Sequence, residues 1–105
     1  MNTFGLSQTS FNLLVKAFAS FPQIEKVIVF GSRAKGNYKP GSDVDLAIVG
    51  KRCTPKLAME LSVKVNEEMP IPYSVDIIDY SSLTHPDLQE HINSVGKLLY
   101  QREGE

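Results

Sequence analysis

Apolar residues recur at the spacing of an amphipathic helix in three parts of the chain. The first stripe begins after Ser7 or Ser10, either of which is a good N-cap, and it ends at Pro22. The second follows the cap-proline pair Thr54–Pro55, and the third covers residues 86–96, from a proline to a glycine. The stripes consist of Phe11, Leu14, Val15 and Phe18; of Leu57, Leu61 and Val65; and of Leu88, Ile92 and Val95.

Three short apolar runs predict strands. Val27–Phe30 is apolar at every position, as in a central strand, and Val44–Val49 and Val75–Ile78 are largely apolar runs with one aspartate each. Leu98–Tyr100 is either an edge strand or a docked tail. The order predicts an α/β (α+β) fold with a mixed sheet of three to four strands flanked by helices. At 105 residues, we expect one domain over residues 1–105.

Composition excludes several function classes. The chain is 42% hydrophobic and 22% charged, which is typical of a folded domain and not of a disordered one. Its net charge of −1 gives no basic field for general nucleic-acid binding, so no direct contact with nucleic acid is expected. No apolar stretch approaches a membrane span, and the single cysteine, Cys53, fits a reducing compartment. We therefore expect a cytoplasmic protein that does not contact a membrane.

The link between the first two strands carries the candidate chemistry. Gly31 permits a sharp turn at the end of a strand, and Ser32 offers a hydroxyl and helix-start N–H groups to phosphate oxygens. Arg33 and Lys35 add positive charge, as phosphate ligands or as solvated loop charges. Ten residues separate Ser32 from an Asp-x-Asp pattern that begins at Asp43 and whose two carboxylates share one face of the next strand. Carboxylates, waters and phosphates are the ligands that magnesium prefers, so the pattern predicts a nucleoside triphosphate site.

A third carboxylate interrupts the third strand. Asp76 lies between Val75 and Ile77, where a charge is costly unless a cation compensates it. Strand parity favours Asp76 over Asp79, since positions three apart face opposite sides of a strand. With Asp43 and Asp45, Asp76 would complete a two-metal site, and it could also accept the proton of an acceptor hydroxyl.

The run Gly31–Gly36, the pattern Asp43–Leu46 and the segment Val75–Ile77 resemble the polymerase-beta-like nucleotidyltransferase superfamily, specifically its minimal nucleotidyltransferase branch. The resemblance implies two magnesium ions held by Asp43, Asp45 and Asp76, and transfer of a nucleoside monophosphate, usually from ATP. The resemblance also implies a separate helical HEPN-family partner, because similar members of this branch usually act beside such a protein as the antitoxin of a toxin-antitoxin pair. The implied reaction is adenylylation of a tyrosine on the toxin, within a hetero-oligomer.

Two features leave alternatives open. Lys35 stands where the family often has arginine, which keeps the charge but removes a bidentate fork. No helical domain follows the core as it does in aminoglycoside nucleotidyltransferases, so we expect the acceptor on another chain. The alternatives are a catalytically silent nucleotide-binding subunit that neutralises or scaffolds a helical partner, and a small-molecule nucleotidyltransferase. His85 and His91 have no metal-ligand spacing, and neither is expected to bind a metal.

Overall fold

The computed structural model describes residues 4–39 and 41–102 and places helices and strands close to the predicted positions. The helices are α1 (Gln8–Ala19), α2 (Gly31–Lys35), α3 (Pro55–Val63) and α4 (Pro86–Val95), and the strands are β1 (Lys26–Phe30), β2 (Val44–Val49), β3 (Val75–Asp79) and β4 (Lys97–Gln101).

Local capping explains where the longer helices begin. Of the two candidate N-caps of α1, Ser7 is the one used, and its side chain accepts a hydrogen bond from the Ser10 N–H. Thr54 caps α3 in the same way, with proline at the first helical position. His85 caps α4, its ring accepting from the backbone three residues on. Short-range sequence signals therefore located these starts correctly.

One helical segment differs in type from the prediction, which continued the second helix through Val65, and one segment was not predicted. The π-helical turn Lys64–Glu68 continues α3, and the 3₁₀ turn Tyr80–Ser82 follows β3. Asp79 caps the 3₁₀ turn: its carboxylate accepts hydrogen bonds from the backbone and hydroxyl of Ser81 and from the hydroxyl of Ser82.

The four strands form one mixed sheet in the order β3-β2-β1-β4. β1 is antiparallel to β2 and to β4, while β2 and β3 are parallel and connected through α3. β1 is thus internal, as the fully apolar run Val27–Phe30 predicted, and the 98–100 segment is part of an edge strand and not a tail. The topology brings the end of β1 and the starts of β2 and β3 to one edge of the sheet.

The two faces of β2 serve different purposes. Val44, Leu46 and Ile48 are fully buried in the main core, which includes residues of α1 and α3. On the opposite face, Ala47 packs in a smaller cluster with Phe30 and with Ile92 of α4. By strand alternation, Asp45 projects from the same face of β2 as Ala47. Its side chain therefore emerges beside this smaller cluster. No helix within residues 4–39 and 41–102 has the length and apolarity needed to cross a membrane.

Candidate active site

The turn between β1 and α2 requires glycine for two reasons. Gly31 has φ of +72°, a left-handed conformation that side chains rarely tolerate. A Cβ at Gly31 would also collide with Oδ2 of Asp45. The turn therefore packs directly against the Asp45 carboxylate, while Ser32 is half-buried and Lys35 is exposed on α2.

His91 of α4 holds this turn from the other side. Its Nε2 accepts a hydrogen bond from the Gly31 N–H at 3.2 Å, and its ring makes an edge contact with the ring of Phe30. An accepting Nε2 carries no proton, so a neutral imidazole has its proton on Nδ1. The first N–H of α2 is therefore bound by a side chain of this protein in the structure.

Two of the three aspartates lie side by side on neighbouring strands. Asp45 of β2 is in register with Asp76 of β3, and on its other side it pairs with Phe30 of β1. Adjacent strands lie about 4.8 Å apart, and residues in parallel register project from the same face. Asp76 is exposed and Asp45 half-buried, whereas Asp43 is exposed on the loop just before β2.

The pKa of Asp45 reflects its burial and the carboxylates beside it. Its pKa is raised, first because burial disfavours the charged carboxylate and then because Asp76 and Asp43 add negative charge. His91 acts in the opposite direction, although its effect is smaller. Asp76 and Asp43 thus both disfavour the charged form of Asp45, and a cation would relieve this repulsion.

The donor set suits magnesium without forming a closed cage. Across the described part of the chain, no three His, Cys, Asp or Glu side chains converge closely enough to hold a metal ion by themselves. Asp43, Asp45 and Asp76 thus form no closed cage in this structure, and their joint role as metal ligands stays a prediction. Magnesium, however, binds through one or two carboxylates together with waters and substrate phosphates. The in-register pair Asp45 and Asp76 fits that requirement in ligand chemistry.

Comparison with known proteins agrees with this geometry. A family model described as polymerase beta, nucleotidyltransferase matches residues 12–105. The chain belongs to this nucleotidyltransferase family. The predicted class of enzyme and the predicted core are thereby confirmed.

The nucleotidyltransferase also resembles individual proteins. Over 77 residues it is 35% identical to the probable protein adenylyltransferase MntA of Haemophilus influenzae, which covers 73% of this chain and 67% of that protein. A structure of a toxin-antitoxin with AMP-PNP matches with a TM-score of 0.69 at 22% identity, covering 93% of this chain and 76% of the other. A structure of a tri-AMPylated Shewanella oneidensis HEPN toxin in complex with MNT antitoxin matches with a TM-score of 0.67 at 21% identity, covering 91% and 73%. At these identities the structural matches establish the fold.

The structure corrects the expectation for Arg33. This side chain is only 3% exposed, and its guanidinium donates to the carbonyl oxygens of Ser42 and Phe4 at 2.8–3.2 Å. Its side chain is therefore neither a solvated loop charge nor placed to grip a phosphate in this nucleotidyltransferase. The reason is that Tyr38 and Tyr73 stack against the guanidinium at 5.0 and 4.8 Å from their ring centroids, an environment that the local sequence does not reveal.

Sequence reasoning also missed the contribution of His91 and of Asn66. Asn66 lies on the π-helical turn; its amide donates to the Val75 carbonyl and its side-chain oxygen accepts from the Val75 N–H, at 2.8 and 2.9 Å. Asn66 therefore binds the edge of β3 that does not pair with β2, at the residue directly before Asp76. The π-helical turn is what presents Asn66 to the strand, and no motif in the sequence signals it.

Proposed function

We propose that this nucleotidyltransferase transfers AMP from ATP to the hydroxyl of a tyrosine on a separate, helical HEPN-family toxin, and thereby acts as its antitoxin. The observation that carries the proposal is the packing of the Gly31 turn against Asp45, which is itself in register with Asp76. A phosphate-binding turn and a pair of carboxylates thus meet at one edge of the sheet, as phosphoryl-group chemistry requires.

The turn and α2 would bind the triphosphate. Ser32 offers its hydroxyl, and the N–H groups that begin α2 have no partner within that helix. Lys35 is exposed at the end of α2, where its ammonium group is available to the leaving pyrophosphate. Because His91 already binds the Gly31 N–H, the remaining donors of the turn are the ones assigned to phosphate.

The carboxylates would hold the metal and move the proton. Asp43, Asp45 and Asp76 are the proposed ligands of two magnesium ions, which would neutralise phosphate charge and lower the pKa of the acceptor hydroxyl when bound. The hydroxyl oxygen forms a bond to the α-phosphorus of ATP as the bond to the β-phosphate breaks, and pyrophosphate leaves. Asp76 is exposed and is the proposed acceptor of the hydroxyl proton.

The acceptor is assigned to a partner chain through similarity. The Haemophilus influenzae relative is named a probable protein adenylyltransferase, which supports a protein hydroxyl over a small molecule. Structures with the same fold contain HEPN toxin together with MNT antitoxin, one of them with the toxin tri-AMPylated. These relatives support a hetero-oligomer of this chain with a HEPN protein.

The reaction can be tested by weighing the partner. This chain is incubated with ATP, magnesium and a HEPN-family toxin, taken first from the neighbouring reading frame, and the toxin is analysed by intact mass. We expect an increase by one or more adenylyl groups, mapped to tyrosine by peptide fragmentation. Omission of magnesium or the variant Asp76→Asn should abolish the increase.

An exposed acid outside the site provides the matched control. Asp87→Asn removes one carboxylate from the first turn of α4 and should leave adenylylation intact. Toxin that is neutralised fully by Asp76→Asn without any gain in mass would instead favour a silent binding subunit. Unmodified toxin under conditions in which the chain adenylylates a small alcohol would favour the small-molecule alternative.

A further inference from the structure

Arg33 occupies an unusual position for a charged side chain so close to a proposed phosphate site. It is 3% exposed, and three of its N–H bonds point to backbone carbonyls: Nε and Nη2 donate to Ser42 at 3.2 and 2.8 Å, and Nη1 donates to Phe4 at 2.8 Å. A buried guanidinium is costly unless its donors are satisfied, so these bonds are required by the burial itself.

The surroundings of Arg33 hold its guanidinium plane in one orientation. Tyr38 and Tyr73 contact it at 5.0 and 4.8 Å from the ring centroids. Tyr38 in turn packs closely on Gly5, where any Cβ would collide with its ring. Phe4, which supplies one carbonyl, has φ of +57°, a conformation that bulky residues adopt only when surrounding contacts impose it.

The main target of the guanidinium is the residue directly before Asp43. Both Nε and Nη2 converge on the Ser42 carbonyl, which fixes the peptide plane that leads into Asp43. The other end of this loop is closed by a reciprocal pair of bonds, Ser42 N–H to the Lys39 carbonyl and Lys39 N–H to Ser42 Oγ. Asp43 itself is exposed and lies outside β2, so the sheet does not hold it.

We infer that Arg33 is a positioning residue for Asp43: it holds the Ser42–Asp43 peptide so that the Asp43 carboxylate joins Asp45 and Asp76 when a divalent cation binds. The inference rests on the proposed role of Asp43 as a metal ligand. It assigns to Arg33 a function distinct from phosphate binding. Lysine cannot replace arginine here, because it lacks both the fork and the planar group that stacks between two rings.

The chain contains a matched control. The Arg102 guanidinium also donates three hydrogen bonds to backbone carbonyls, those of Ala19, Phe21 and Ile24. The backbone N–H of Arg102 donates to the Glu25 carbonyl, just before β1 begins. The Gly31 turn lies at the opposite end of that strand. Arg102→Lys therefore breaks a similar set of bonds without touching the loop that carries Asp43.

The test measures Mn²⁺ binding to the chain without nucleotide, by electron paramagnetic resonance of the unbound ion, at a temperature where circular dichroism shows each variant folded. We expect Arg33→Lys to weaken Mn²⁺ binding about tenfold, the lower end of what loss of a ligand-orienting group costs. Arg102→Lys should also lower Tm, but it should leave Mn²⁺ affinity within about twofold of the parent, a change well below the loss expected for Arg33→Lys.

Three other results would contradict the positioning role of Arg33 or the metal role of Asp43 on which it rests. If Asp43→Asn weakens Mn²⁺ binding and Arg33→Lys does not, Arg33 is merely structural and the inference is wrong, while the proposed function stands. Equal weakening by Arg33→Lys and Arg102→Lys would overturn it in the same way. If Asp43→Asn leaves Mn²⁺ binding unchanged, the metal role of Asp43 fails, and with it the inference.

A second pair of variants covers the case in which Arg33→Lys does not fold. Tyr73→Leu removes one face of the stack and leaves the guanidinium in place, and Tyr73→Phe retains the ring. We expect Tyr73→Leu to weaken Mn²⁺ binding and Tyr73→Phe to retain the affinity of the parent. Parent affinity in both variants would refute the positioning role.

Discussion

Substitution of Gly31 by alanine tests whether the phosphate turn and Asp45 share one tightly packed volume. Gly36 offers the matched control, since it also has positive φ, +85°, but a Cβ there would have no heavy atom within 4 Å. Gly36→Ala therefore suffers only the backbone strain of a left-handed residue, about 1–2 kcal/mol. Gly31→Ala suffers the same strain and in addition displaces the Asp45 carboxylate.

Gly31→Ala should destabilise the fold more than Gly36→Ala because it displaces the Asp45 side chain. Moving Asp45 off its rotamer costs about 0.5–1.5 kcal/mol, which together with the backbone strain brings the total to about 1.5–3.5 kcal/mol. Because the favourable effect of alanine on the unfolded chain applies to both variants, it cancels in the comparison. Urea denaturation at neutral pH without divalent cations measures both free energies of unfolding.

A double-mutant cycle isolates the collision. In the background Asp45→Ala the carboxylate is absent, so Gly31→Ala should then cost no more than Gly36→Ala, with a coupling energy of about 1 kcal/mol between positions 31 and 45. Equal costs for Gly31→Ala and Gly36→Ala in the parent, or a coupling energy near zero, would refute the close packing of the turn on Asp45.

Three further predictions concern the groups around this turn. Because burial and neighbouring carboxylates raise the pKa of Asp45, its charged form destabilises the fold; Asp45→Asn should be more stable than the parent at neutral pH without metal, and the gain should vanish as pH falls below the ordinary value of 3.8. A gain that persists at low pH in urea titrations would contradict this. His91→Ala removes the acceptor of the Gly31 N–H and should cost about 1–2 kcal/mol by the same assay, whereas no loss would mean that water replaces the bond. Asn66→Ala removes both bonds to Val75, and we expect a loss of about 1–2 kcal/mol together with faster amide exchange at the start of β3; unchanged exchange would argue against anchoring of this edge.

Features specified by neighbouring residues could be predicted from the sequence. Apolar β-branched runs located the strands, and the cap at Thr54 with the proline after it located the start of α3. Strand alternation correctly separated Asp45 from the main core. The same alternation made Asp76 a better candidate than Asp79, and the structure places Asp79 in the cap of the 3₁₀ turn.

Features that depend on distant residues could not be predicted. The partner of the Gly31 N–H lies sixty residues further on, and nothing around His91 indicates it. Arg33 has the sequence surroundings of a solvated or phosphate-binding charge, yet the ring of Tyr73 buries it through a tertiary contact. The π-helical turn that presents Asn66 widens the hydrogen-bond spacing from four to five residues over a segment of only 5 residues, too short for an apolar stripe to reveal.

The three contacts that sequence reasoning missed share one property. His91 binds the N–H of Gly31, Arg33 binds the carbonyl of Ser42, and Asn66 binds both backbone groups of Val75. Each anchored residue directly precedes a proposed site residue, namely Ser32, Asp43 and Asp76.

None of these anchoring bonds is made to a carboxylate oxygen. A cation or donor bound directly to a carboxylate would stabilise its charge, but it would also occupy the lone pairs that magnesium needs and add positive charge beside the ion. Anchoring the preceding backbone group restricts the position of the side chain and leaves its carboxylate oxygens free to bind the ion. The raised pKa of Asp45 is consistent with this arrangement, since its burial and the charges of Asp76 and Asp43 outweigh the opposing effect of His91. We therefore expect a divalent cation to increase the stability of the parent more than that of Asp45→Asn.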